Sequence, residues 1–402
     1  MHCPDPETLD AFVSLVGADV WNERLASLRA LGSQARGSRA LLARHSIELA
    51  IERRRRRSAG SPTAAEARIA ALAAAAVDLT ETLPAAGRQR LRTALLAAFA
   101  TQDALVPLFH VLYTAGLQRS RGFEVEHSAL AEGAPFDLLI RRDGVEAEVA
   151  CSVISAEEGR SVHRGAWFDL VDRMDPELQR WLAAHPGRYL LKVTLPNGLR
   201  GDTEPALGAL AALQGRITEL LAKTRRADQD AAAVLRLDPL LLAGAQADEM
   251  GLMQGLRREF GPEAHLAVVA SAGGGAGGGV FVLAARAGRE DEIAAAVRRR
   301  LDAIAPVRLT GARPGILAVF VEEVERREWR LLRERLELEG EARHFLTHPE
   351  ARRVVAVTCA SRHELFGAGE PDAVPDGELR FRNPAHPAAK VVALAPSVLS
   401  SL

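Results

Sequence analysis

The stretch PFDLLIRRDGVEAEVACSVISAEEGRSVHR, residues 135–164, decides how this chain is read. PFDLLI is an apolar run opened by Pro135 and reads as a strand. Asp143-Gly144 follows, the two-residue hairpin signal that supplies positive φ at both central positions of the turn. Residues 145–153 then alternate strictly. Val145, Ala147, Val149, Cys151 and Val153 point to one side and predict core, whereas Glu146, Glu148, Ala150 and Ser152 share the other side.

Outward from this hairpin, residues 104–118 predict a helix with Leu105, Leu108, Phe109 and Leu112 on one face, and FEVEH (123–127) alternates like a strand. After it, residues 165–183 carry Trp167, Leu170, Val171, Met174, Leu178, Trp181 and Leu182 at helical spacing, and RYLLKVTL (188–195) reads as a strand. The predicted order is helix, strand, strand, strand, helix, strand.

Paired acidic residues at such a place have a chemical use. Metal-dependent phosphodiester hydrolysis needs carboxylates to hold Mg²⁺ and a cation to position the attacking water. In a strand, an acidic residue and a lysine at i and i+2 face the same metal, and an Asp at the start of the preceding hairpin strand completes the set. Asp137 and Glu148 are the candidates. The alternative reading of Glu146 and Glu148 is the solvated side of a half-exposed strand.

Residues 105–194 resemble the PD-(D/E)xK, or restriction-endonuclease-like, nuclease superfamily, with Asp137 at the family's first acidic position. The Glu-x-Lys element departs from the family pattern in one of two registers. With Glu148 as the Glu, Ala150 replaces the Lys. The resemblance then implies a Mg²⁺ or Mn²⁺ site of Asp137 and Glu148, served by a lysine from another element, for which Lys192 on the fourth strand, beside the third in that fold, is the candidate. The segment SAEEGRSVHR (155–164) also resembles one in bacterial relatives of the fold, where Glu-x-Lys leads to Gly-Arg-x-Ile-His-Arg. Aligning on Gly159, Arg160, His163 and Arg164 puts Ala150 at the Glu and Ser152 at the Lys, and both catalytic residues are lost.

Arg160 and Arg164 open the following helix, where guanidinium groups and a helix N-terminus suit a phosphate. His163 beside them suits a general base. An ion-pair network with Glu157 and Glu158 is the plainer reading. His110, inside the 104–118 helix, reads as structural.

Residues 1–100 read as an all-helical region, with Asp5-Pro6 opening the first helix and Ser61-Pro62 capping an Ala-rich one. One of these helices ends in the arginine run 53–57, either a nucleic-acid patch or a solvated helix C-terminus. Beyond 195 the pattern continues as α/β. It has helices near 204–223, 248–259, 290–303 and 322–341 and strands at 231–238, 265–271, 279–287, 315–321, 353–359 and 390–394. GGGAGGG (273–279) lacks the following Lys-Ser/Thr of a phosphate loop and reads as a hairpin tip. The expected division is a helical region 1–100, a nuclease-like core 101–245 and an α/β region 246–402.

The bulk properties narrow the partners. The 402 residues carry a net charge of −1, so no global field draws the chain to nucleic acid. Only Lys192, Lys223 and Lys390 are lysines, and the three cysteines are too dispersed for a metal framework. With no apolar run of about 18 residues and no basic-then-apolar leader, the expectation is a cytoplasmic protein without membrane contact. The functional expectation is a nuclease-type α/β protein that contacts nucleic acid, DNA before RNA, with impaired or lost Mg²⁺-dependent activity. The alternatives are an active endonuclease using Asp137, Glu148 and Lys192, and a non-enzymatic scaffold or oligomerisation module using the helical region.

Overall fold

The computed structural model describes residues 6–32, 44–56, 61–100, 104–200, 204–239, 255–256, 260, 264–270, 279–366 and 373–401. They form two units. The first gathers the described residues of Met1–Gly32, Leu41–Glu158 and Ala294–Leu402, and the second those of Gly159–Ile293. The expected boundaries at 100 and 245 are therefore replaced by an insertion: the chain leaves the first unit after Glu158 and returns to it at Ala294.

The first unit is built on a six-stranded mixed sheet in the order β1-β2-β3-β9-β10-β11. Its strands are β1 (Glu124–Glu126), β2 (Leu138–Arg142), β3 (Val145–Ser155), β9 (Gly315–Glu322), β10 (Val354–Ser361) and β11 (Leu379–Arg382). The β2–β3 hairpin turns on Asp143 and Gly144, at φ 50° and 74°, as the Asp-Gly signal requires. β1, β2 and β3 pair antiparallel, β3, β9 and β10 run parallel, and β11 closes the sheet antiparallel.

Ala147, Val149 and Cys151 bury one face of β3 beside Ile316 and Ala318 of β9, as the alternation predicts. The helix α6 (Val106–Ser120) covers it, and His110 Nε2 donates to Ala318 O at 3.1 Å. His110 is structural: burial pushes its imidazole down to about 4, so it stays neutral.

Five helices precede α6: α1 (Pro6–Val16), α2 (Ala18–Gly32), α3 (Ser46–Arg56), α4 (Ala64–Thr82) and α5 (Ala85–Ala100). They are no separate domain. Phe12, Trp21, Ile51, Ile69 and Leu95 share a core with Phe109 of α6, Phe320 of β9 and Leu365 after β10. Each such fully buried apolar side chain contributes roughly 1.5–3 kcal/mol, and that joins the layer to the sheet. The α4 cap is Thr63 with Glu66, a capping box, rather than Ser61-Pro62.

The second unit holds a five-stranded sheet, β5-β6-β4-β8-β7, from β4 (Arg188–Leu195), β5 (Ala227–Gln229), β6 (Val234–Pro239), β7 (His265–Ala270) and β8 (Val280–Ala287). The helices α7 (Arg164–Ala184) and α8 (Glu204–Ala222) cover one face. Trp167, Leu170, Met174, Leu178 and Trp181 of α7 and Leu210 and Ile217 of α8 pack on Leu191, Val193 and Leu195. β7 and β8 pair antiparallel from Ala270 and Val280, so the glycine-rich segment is their connection, although residues 271–278 lie outside the described residues. Most of the helix expected near 248–259 also lies outside them.

Two expectations are corrected here. β4 does not adjoin β3. It is flanked by β6 and β8, and the strand beside β3 is β9, reached through the helix α9 (Ile293–Arg308). Residues 390–394 are not a strand, because Val391 N donates to Ala388 O and Leu394 N to Val391 O, satisfying the backbone in short 3₁₀ turns. In addition, the helix expected over 322–341 is two helices, Arg326–Glu334 and Glu337–Leu346, broken at Leu336 with φ 57°. Among the described residues no helix is long and apolar enough to cross a membrane.

Candidate functional site

Asp137 sits one residue before β2, held there by its own N–H to Val149 O at 3.0 Å. Leu138 pairs with Val149 and Leu139 with Glu148, so continuing the register places Asp137 across from Ala150. Glu148 is one diagonal step away. Directly opposed residues approach to about 5 Å and diagonal ones to about 7–8 Å, so the β3 side chain best placed to share a ligand with Asp137 is the methyl of Ala150.

A guanidinium occupies the space instead. Arg308, at the end of α9, donates from Nη2 to Asp137 Oδ2 at 2.8 Å and from Nε to Pro135 O at 2.5 Å. The same carboxylate oxygen accepts Cys151 N–H at 2.6 Å. Burial raises the Asp137 carboxyl from its ordinary value, against the opposing pull of Arg308 and the Cys151 N–H. Two turns earlier on α9, Arg300 Nε donates to Ser152 Oγ at 2.9 Å. Thus α9 lies over the β3 face that carries Ala150 and Ser152.

Glu148 is 0% exposed, which overturns the reading of this face as solvated. Both of its oxygens are engaged. Oε2 accepts Thr310 N–H at 2.9 Å, Oε1 accepts the Thr310 hydroxyl, and Arg313 Nη1 stands 3.7 Å away. Glu146, further toward the turn, bridges Arg141 and Arg313 at 2.6 Å each. Those hydrogen bonds lower its pKa, and Arg141 reaches on to Glu126 at 2.9 Å.

These residues do not fit a Mg²⁺ or Mn²⁺ site. Such an ion takes oxygen ligands with near-octahedral geometry, whereas the Glu148 oxygens already accept Thr310 and the Asp137 charge is balanced by Arg308. Among the described residues no three His, Cys, Asp or Glu side chains converge to hold a metal.

Lys192, His163, Arg160 and Arg164 belong to the second unit, Asp137 and Glu148 to the first. Lys192 Nζ pairs with Asp238 at 3.2 Å and lies 5.2 Å over the Phe260 ring. Arg160 is only 2% exposed, and a guanidinium so enclosed is not placed to track a phosphate backbone. His163 is the backbone N-cap of α7, its ring making no cap hydrogen bond.

The segment 159–164 acts as a fastening. Gly159 O accepts Glu292 N–H at 2.7 Å, Ser161 N donates to Asp291 Oδ1 at 2.9 Å, and Arg289 Nε donates to Ser161 Oγ at 3.2 Å. His163 N donates to Leu199 O and Leu199 N to Ser161 O. A Cβ on Gly159 would lie 2.4 Å from Ile293 Cα, so the two ends of the insertion meet only because this residue is glycine. Three arginines of the 53–57 run are paired: Arg53 with Glu66, Arg55 with Asp10 and Glu52, and Arg56 with Glu52, while Arg57 lies outside the described residues.

Sequence reading missed Arg300, Arg308, Thr310 and Arg313. Each lies well over a hundred positions from its partner on the hairpin, and no local pattern marks an arginine that will meet an aspartate across such a separation. No protein-family model, curated protein or solved structure matches the chain.

Proposed function

We propose that the first unit is a nuclease-type fold that has given up metal-dependent hydrolysis and serves as a non-catalytic scaffold or binding module. The lineage is supported by the element order. A leading helix α6, the strands β1, β2 and β3, then helix α9 and the parallel strand β9 give a helix–strand–strand–strand–helix–strand order, with α9 and β9 in the places expected for the 165–183 helix and the 188–195 strand, which belong to the inserted second unit.

The observation that carries the loss of hydrolysis is the pairing of Asp137 with Arg308 opposite Ala150. It favours the register in which Ala150 and Ser152 replace the Glu and Lys. The alternative of an active endonuclease needs Lys192 beside β3, and β4 is built into the other sheet. Nucleic-acid contact loses support, since Arg160 is enclosed and Arg53, Arg55 and Arg56 of the 53–57 run have acidic partners.

The test is cleavage of single- and double-stranded DNA and RNA in Mg²⁺ and in Mn²⁺, comparing wild type with Asp137→Ala. Equal background in both supports the proposal. Cleavage by wild type that Asp137→Ala abolishes overturns it. Fluorescence anisotropy with the same nucleic acids at two salt concentrations separates the two non-catalytic roles, because phosphate contacts weaken steeply with salt.

A further inference from the structure

At the carboxyl ends of β3, β9 and β10 in the first unit lies a second polar cluster, which no part of the hairpin site uses. β3 brings Ser155, paired with Glu322 of β9. Glu323 follows in a left-handed conformation at φ 59°, and β10 is followed by Arg362. From the helical layer, α3 and the residues leading into it bring Arg44, His45, Ser46 and Glu48.

The contacts tie α3 to the strand ends. Arg44 Nη2 meets Glu323 Oε1 at 2.7 Å, and Ser155 Oγ donates to the other Glu323 oxygen. Arg362 Nη2 reaches Ser46 Oγ at 3.5 Å, and His45 Nδ1 meets Glu48 Oε1 at 3.1 Å. Two carboxylate oxygens are left over. Among the described residues Glu48 Oε2 and Glu322 Oε1, both enclosed, have no hydrogen-bond partner, and Glu48 is only 1% exposed.

Charge completes the picture. The groups acting on Glu322 are Glu323 and Glu48, which repel a second negative charge, and Arg44 and Arg362, which attract it. Two guanidiniums face three carboxylates. A buried carboxylate without a matching cation or hydrogen bonds is costly, and the group takes up a proton instead.

We propose that this cluster is a proton-operated latch, in which protonated Glu322 leaves the two arginines balanced by Glu323 and Glu48 and holds α3 on the sheet, and loss of that proton loosens α3. The proton passes to solvent and no other bond changes. In keeping with this, burial, and then Glu323, push the Glu322 carboxyl up to about 7, so the latch works near neutrality.

The experiment is amide hydrogen exchange of the Ser46–Arg56 helix in the full chain between pH 6 and pH 8.5, corrected for intrinsic rates, on wild type, Glu322→Gln and His45→Asn. Wild-type protection is expected to fall about three- to tenfold across this range, and Glu322→Gln to be flat. Constant wild-type protection overturns the proposal. So does a fall that persists in Glu322→Gln and vanishes in His45→Asn, which assigns the titration to His45. Should Glu322→Gln not fold, the side-chain carboxyl ¹³C resonance of Glu322 in wild type decides. A midpoint near neutrality supports the latch, and one in the ordinary carboxylate range overturns it.

Discussion

Arg308 Nη2 lies 2.8 Å from Asp137 Oδ2, joining the last residue of α9 to the residue that opens the β2–β3 hairpin. The pair puts a side-chain cation where the hairpin would otherwise present a buried anion. Arg308→Ala leaves the Asp137 carboxylate with the Cys151 N–H as donor. Removing one partner of a buried pair costs about 3–5 kcal/mol, and the partial exposure of Arg308 reduces that to about 1–3 kcal/mol. Urea unfolding of Arg308→Ala and of the double variant Arg308→Ala/Asp137→Asn checks it, with the double variant recovering part of the loss.

Gly159→Ala is expected to disrupt the neck of the insertion. The added methyl meets the Ile293 and Glu292 backbone at 2.4–2.7 Å, where no side chain can swing aside. Overpacking of this kind costs about 1–3 kcal/mol. Faster amide exchange at Glu292, whose N–H bonds Gly159 O, is the expected signature, and unchanged exchange there would refute it.

Glu364 is a buried carboxylate with no salt bridge among the described residues. It accepts Ser361 N–H at 2.7 Å, Ser361 Oγ at 2.6 Å, Trp329 Nε1 at 2.9 Å and Val374 N–H at 3.1 Å. Glu364→Ala leaves these donors without an acceptor, at about 1–3 kcal/mol for each one that stays buried, so a loss of at least about 3 kcal/mol is expected. Trp329 emission reports the change directly, since its indole N–H loses its partner.

Stability should fall as pH rises from about 4.5 through about 7, because the folded chain binds the Glu322 proton more tightly than the unfolded chain does. The full difference is up to about 3 kcal/mol, present below the unfolded value and gone above the folded one. Denaturant midpoints for wild type and Glu322→Gln across this range measure it, the variant lacking this part of the slope.

Lys192→Ala is expected to be mild, within about 1 kcal/mol. Its ion pair with Asp238 lies on a partly exposed strand surface, and its ammonium also lies over the Phe260 ring. A loss of several kcal/mol would show that Lys192 carries a structural load beyond these contacts.

Much of the fold was legible where local chemistry decides it. Asp143-Gly144 and the alternation from Val145 to Val153 identified the hairpin and its core face, and the helical spacing from Trp167 to Leu182 identified the helix that packs on the second sheet. The candidate site was half legible. Asp137 was singled out within PFDLLI, but the state of its carboxylate was not legible, because Arg308 follows in the sequence only after the inserted segment. Lys192 was misplaced for the same reason: the pattern of RYLLKVTL marks a strand and says nothing about which strand it pairs with.

The sequence by itself determined most of the strands and helices, and the apolar side of β3, since those follow from turn chemistry and from periods of 2 and 3.6 residues. Only the tertiary structure decided that β9 rather than β4 lies beside β3, that Arg308 of α9 pairs with Asp137 and the residues just after α9 engage Glu148, and that Gly159 fastens a neck. Strand neighbours and ion pairs between distant residues depend on how the chain closes over long separations, which no local pattern encodes.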